Sequence, residues 1–190
     1  MIQGVDGEPD LVTIDFAAGG FFTIPSGIEV FGGSGDGDTL TVIGVAGTKA
    51  ELTPGAIGDG LLTFERNGES IDVRFNDVES TGVTLIDDLT INGNLNVGDR
   101  TVTFDTLGFT KLGPRTTIDG GTLIAGGLAL GPGDVLIGNG TVDARIAADV
   151  GSTIDADGDL TLGDVNAFDG FFSDGVLQTN DHTVTILDRD

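Results

Sequence analysis

The chain has 190 residues, of which 33 are Gly, 31 are Asp or Glu and only 8 are Lys or Arg, for a formal net charge of −23. So few cations exclude a basic nucleic-acid surface, and 5 Pro without a three-residue glycine period exclude collagen. A hydrophobic share of 38% argues against plain disorder, which pairs high charge with low hydrophobicity.

Gly interrupts nearly every apolar run, and at about 1 kcal/mol per interior Gly such spacing prevents long helices. Extended segments are instead expected, in chain order, at 11–14, 39–42, 62–64, 71–75, 83–85, 89–91, 95–97, 102–104, 128–130, 135–137, 160–162 and 183–186. In Leu95-Asn96-Val97 or Leu160-Thr161-Leu162 aliphatic residues flank a small polar one, the period of a strand with one buried face. Asn-Gly, Gly-Asp, Gly-Gly and Asp-Gly pairs separate the segments and supply the positive φ of sharp turns. Such short strands are ill suited to an immunoglobulin sandwich. They suit a parallel β-helix, or β-solenoid, in which each strand stacks on its equivalent in the next coil.

An internal repeat supports this expectation. Gly93 to Asp99, Gly127 to Asp134 and Gly158 to Asp164 all read Gly, Leu-x-Leu/Val, Gly, Asp, and a second marker recurs at Ile86-Asp87, Ile118-Asp119, Ile154-Asp155 and Leu187-Asp188. Both markers give a period of 32–36 residues. The expected organisation is an N-terminal β-rich region over 1–82, holding a cap and first coils, followed by regular coils over 83–190. Phe16, Phe21, Phe22, Phe31, Phe64 and Phe75 concentrate in the first region, either to plug a hydrophobic interior or as ordinary strand core.

The stretches Gly93-Asn-Leu-Asn-Val-Gly-Asp99, Thr117-Ile-Asp-Gly-Gly-Thr-Leu123 and Thr179-Asn-Asp-His-Thr-Val-Thr-Ile-Leu-Asp188 resemble the coils of bacterial autotransporter passengers and filamentous-haemagglutinin-type adhesins. Gly32 to Val42 resembles segments of long secreted repeat proteins. The resemblance implies a right-handed coil, export to the extracellular space or cell surface, and a role in adhesion or the cell envelope. It supplies no catalytic residues.

With 0 Cys there is no disulfide framework, thiolate nucleophile or Cys-based zinc site. The N-terminus shows no basic and apolar signal-peptide pattern, so a cytosolic chain or an excised piece is expected. No apolar stretch is long enough to span a membrane. Calcium is the one cofactor the sequence suggests. Gly32-Gly-Ser-Gly-Asp-Gly-Asp38 approaches the calcium-binding nonapeptide, with Asp36 and Asp38 straddling the position of its single Asp. Asp155, Asp157 and Asp159 have the alternation of an EF-hand, but Leu160 and Asn166 stand where Gly and Glu are required. A looser site from Asp155, Asp157, Asp159 and Asp164 is the alternative, since close carboxylates repel unless protonated or bridged by a cation.

Asp143 and Arg145 are the one acid–base pair that could serve a glycan-cleaving β-helix, and sugar platforms of Trp or Tyr are missing. The Thr-x-Thr pairs at 39/41, 101/103 and 183/185 recur too irregularly for an ice-binding array. His182, the single histidine, reads as a turn residue. The expectation is therefore a non-enzymatic structural or adhesive module, a stiff acidic rod whose partners are further copies, end to end or laterally, or a cell-surface or matrix ligand. Phe168, Phe171 and Phe172 are its candidate contact residues. The alternatives are a glycan-binding or glycan-cleaving β-helix and a calcium-stabilised spacer.

Overall fold

The structure, a computed structural model, describes residues 1–34, 37–168 and 170–189, with the backbone alone for residues 165–168 and 189. The fold is all-β. Strands make up 62% of the chain, far above the share of about 20–25% in ordinary globular domains. In chain order the elements are β1 (Ile2–Gln3), β2 (Leu11–Asp15), α1 (Phe16–Gly19), β3 (Ile28–Phe31), β4 (Thr39–Ile43), β5 (Lys49–Pro54), β6 (Gly60–Arg66), β7 (Glu69–Asn76), β8 (Ser80–Ile86), β9 (Asp88–Ile91) and β10 (Leu95–Gly98). They continue as β11 (Thr101–Thr106), β12 (Thr110–Lys111), β13 (Arg115–Leu130), β14 (Val135–Ala148), β15 (Thr153–Phe168), β16 (Phe171–Ser173), β17 (Val176–Gln178) and β18 (Val184–Arg189).

Among the described residues, three long parallel ladders take in most of the strands, beside a shorter one of β1, β3 and β7. The longest runs β2, β4, β8, β11, β13, β14, β15, β18. A second runs β10, β13, β14, β15, β17, and a third β5, β9, β12, β13, β14, β16. Strands β13 and β14 serve all three, turning between ladders without leaving extended backbone. Register shifts between Asp119 and Thr122 and between Ile124 and Gly127 mark the corners of β13. Gly138 sits at such a crowded point, at φ +134, where a Cβ would overlap the Ile118 carbonyl oxygen, so a side chain there must displace backbone.

The N-terminal part is built differently. Strand β6 pairs antiparallel with both β5 and β7, and β7 continues parallel to β3 and then β1. Asn67 (φ 54) and Gly68 (φ 81) close the β6–β7 hairpin, the two positive-φ residues that a tight primed turn requires. These antiparallel pairings depart from the uniform axial stacking the sequence suggested. With β3 on one edge and β6 on the other, β7 has no edge left for β10, so among the described residues the second ladder begins at β10 with one edge unpaired.

The leucine-centred segments pair in parallel, but not with one another. Leu95 pairs with Thr116 in the second ladder, Leu128 with Ile146 in the third, and Leu160 with Val184 in the longest. The true step is shorter than the 32–36 residues expected: Thr101, Thr122, Thr141 and Thr161 pair in succession at offsets of 21, 19 and 20. From Leu95 to Leu128 the chain makes five steps from one ladder to the next, and likewise from Leu128 to Leu160. Gly-Leu-x-Leu-Gly-Asp describes a segment of any ladder, so matching it aligned segments that do not pair with one another.

Side chains alternate across each ladder. Leu40, Thr81, Val102, Leu123, Val142 and Leu162 stack inward along the longest. Leu95, Thr116, Leu136, Ile154 and Leu177 do so along the second. Ala50, Leu89, Thr110, Leu128, Ile146 and Phe171 do so along the third. All belong to or line one hydrophobic core. At its N-terminal end Phe16 is fully buried, its ring centroid 5.3, 5.1 and 5.6 Å from those of Phe21, Phe22 and Phe64. Phe64 and Phe75 are buried on strands β6 and β7, while Phe16, Phe21 and Phe22 pack together at α1 and the segment that follows it.

Candidate functional site

Of the expected metal residues, Asp36 lies outside the described residues. Asp38 is 2% exposed and already committed. Its Oδ1 accepts the Asp10 N–H at 2.8 Å, its N–H donates to Glu79 Oε2 at 2.9 Å, and its carbonyl accepts the Glu79 and Ser80 N–H groups. Glu79 Oε1 then lies 3.7 Å from Arg100 Nη2, and Arg100 Nη1 donates to the Val78 carbonyl at 2.7 Å. Asp10, Asp38, Glu79 and Arg100 each immediately precede a strand of the longest ladder, so the relay crosses four successive rungs. Sequence reading missed it, although a charged residue directly before a Thr/Ser/Leu-aliphatic start was the available signal.

The acidic run is spread along the ladders rather than gathered. Asp155 accepts the Asn180 side-chain amide at 2.5 Å, Asp157 the Asn139 amide at 3.5 Å, and Asp159 the Thr183 N–H at 3.1 Å. Among the described residues no three His, Cys, Asp or Glu side chains form a group that could hold a metal ion. Asp6 is held below its ordinary pKa, because the Ser34 N–H and then its hydroxyl donate to it.

Asp143 and Arg145 do not share a face. Asp143 pairs with Ile124 in the longest ladder, while Arg145 pairs with Gly127 beyond a corner and places its guanidinium 5.4 Å from the Phe109 ring centroid. Asp143 instead faces a shallow groove of about 330 Å³ with Thr103, Asp105, Ile124, Gly126 and Asp164. The more enclosed hollow, between Leu52, Phe75, Val78, Leu95 and Val97 beside Arg100, measures about 40 Å³. That is room for a water or so, not a sugar. His182 is exposed, and its N–H donates to the Thr179 carbonyl at 2.8 Å across a turn with Asn180 and Asp181 at positive φ.

The expected contact aromatics divide. Phe171 points inward on Ile146, Phe172 points outward and is 58% exposed, and the Phe168 side chain lies outside the described residues. The last rung of each inward column is only partly covered: Leu162 is fully buried while Ile186, stacked on it, is 44% exposed. On the outer side of the longest ladder Thr39, Ser80, Thr101, Thr122, Thr141, Thr161 and Thr185 form one column. The Thr-x-Thr pattern missed it because most rungs carry a single Thr. The 20-residue recurrence of Thr-Val and Thr-Leu, as at Thr101-Val102, Thr122-Leu123, Thr141-Val142 and Thr161-Leu162, was the readable signal.

No protein family matches the chain, and neither a curated protein nor a solved structure does. Among the described residues no helix is long and apolar enough to cross a membrane.

Proposed function

We propose that the chain is a non-catalytic structural and adhesive module of an extracellular bacterial surface protein, with the three ladders as the faces of a parallel β-helix, right-handed by its resemblance to adhesin coils. The observation that carries this reading is the longest ladder: eight strands in parallel register over one core, each paired with a strand well separated from it in the chain. Backbone hydrogen bonds then run along the axis and stiffen it, and the charge of −23 keeps the outer surface solvated. Such a surface presents contacts rather than chemistry. The enclosed hollow is too small for a substrate, and the acid–base pair that a glycan-cleaving site would use is split between faces.

Beads coated with the purified chain should bind one another or a matrix- or glycan-coated surface, while no polysaccharide is turned over. Polysaccharide cleavage that is lost in Asp143→Ala would replace this proposal with the glycan-cleaving one. The groove holding Asp105, Asp143 and Asp164 is the observation that favours that second reading.

A further inference from the structure

The outward face of the third ladder reverses the charge of the chain around it. Phe109, Gly127 and Arg145 form one outward column there, and Lys111, Ala129 and Ala147 the next, alternating with the buried Thr110, Leu128 and Ile146. In a chain of net charge −23 these positions hold two cations and no carboxylate. Lys49, Arg74 and Arg100 are each paired with a carboxylate, whereas among the described residues Lys111 and Arg145 have none. Those two cations lie two rungs apart, about 10 Å along the ladder at about 4.8 Å per rung. The Phe109 ring, 40% exposed, rests on Gly127, where a Cβ would come within 2.8 Å of its Cδ1. The ring holds the Arg145 guanidinium 5.4 Å from its centroid, which orders the cation without neutralising it.

We infer that this face, over β12, β13 and β14, is a binding site for a carboxylated glycan. The Arg145 guanidinium and the Lys111 ammonium take carboxylates of the extended chain, and the exposed part of the Phe109 ring lies against the C–H groups of a sugar. Charge complementarity makes the occupant an anion, and the planar guanidinium matches a carboxylate in particular. An acidic peptide fits less well. Both edges of all three strands are already paired in this ladder, so no strand can be added, and a floor of Gly127, Ala129 and Ala147 offers no pockets for side chains. A sugar chain needs neither. At physiological salt the screening length is about 8 Å, so repulsion from the distant carboxylates is largely removed. The inference rests on the proposed adhesive reading and names its ligand class and site.

Isothermal titration of the whole chain with oligogalacturonate tests this at about 0.15 M salt, with a chelator present so that no divalent cation bridges two acidic partners. Saturable binding is expected. It should weaken about tenfold or more, the equivalent of about 1.4 kcal/mol or more, in Arg145→Gln, Lys111→Gln and Phe109→Ala. Gly127→Ala, which pushes the ring off its seat and removes no charge, should weaken it too. Arg74→Gln removes an exposed cation on β7 and should leave it unchanged. Circular dichroism melts confirm that each variant is folded, and Arg145→Gln, an exposed change, carries the test if Phe109→Ala is not. The same oligosaccharide with its carboxyls methyl-esterified, and an oligoglutamate of equal charge, should bind much more weakly. No binding of oligogalacturonate, equal binding of either control ligand, or binding indifferent to Arg145 and Lys111 would overturn the inference. If oligogalacturonate fails while beads coated with the chain still adhere, the site falls and the adhesive reading stands; if the beads do not adhere either, both fall.

Discussion

Thr116 offers a test in which a mutation should stabilise the protein. It sits between Leu95 and Leu136 in the inward column of the second ladder, fully buried, and among the described residues its Oγ1 has no hydrogen-bond partner. A buried unsatisfied hydroxyl costs about 1–3 kcal/mol. Valine has the same shape and puts a methyl where the hydroxyl stands, against aliphatic neighbours that welcome it. Allowing for imperfect relief, Thr116→Val should gain about 1–2 kcal/mol, and in a domain of this size each kcal/mol moves the midpoint by about 2–4 °C. A rise of roughly 2–8 °C is expected. Far-UV circular dichroism is the natural assay, because the chain has no Trp or Tyr to report by fluorescence. Thr110→Val is the matched control: it is equally buried, but its Oγ1 lies 3.5 Å from Thr106 Oγ1 and so has a partner to lose. A midpoint for Thr116→Val at or below that of the parent would refute the reasoning, as would an equal rise for both variants.

Two further predictions concern carboxylates. Asp38→Ala removes the acceptor for the Asp10 N–H. Loss of that charge-assisted bond, partly offset by relief of carboxylate burial, should cost about 1–2 kcal/mol in a urea titration. Asp38→Asn, which keeps an acceptor oxygen, should cost less; equal losses would show that the bond is not the cause. The lowered pKa of Asp6 contributes stability above the unfolded aspartate value of about 3.9 and loses it as pH falls through the folded value. Melting curves of the parent and Asp6→Asn should therefore differ near neutral pH and converge in acid, and a gap that widens on acidification would reverse the assignment.

The strand content was legible because alternation and Gly-rich punctuation are local signals. Segments such as 11–14, 39–42 and 71–75 fall within β2, β4 and β7. Glycine was misread at the corners: Gly120, Gly121, Gly126 and Gly127 lie inside β13, where bulges turn the chain without ending the strand. The 32–36-residue spacing does not match the pairing offsets of 19–21 residues, since nothing in a Gly-Leu-x-Leu segment says which ladder it joins. The antiparallel β5–β6–β7 unit was hidden because its strands alternate like all the others. The Asp10–Asp38–Glu79–Arg100 relay depends on contacts between residues that are 28, 41 and 21 positions apart in the chain. The partners of Asp38, in its Gly-rich loop, lie on the neighbouring rungs.

The unpaired edge where β7 and β10 fail to meet has a mechanical consequence. On the proposed axial stacking, a pull along the axis loads three hydrogen-bonded seams in tension elsewhere in the C-terminal part; at this level only the longest and third ladders carry load. Neighbour-only coupling makes such a molecule as strong as its weakest junction, so extension should first separate β8 and β9 from β11 and β12. The halves on either side would remain folded as separate pieces after that first break.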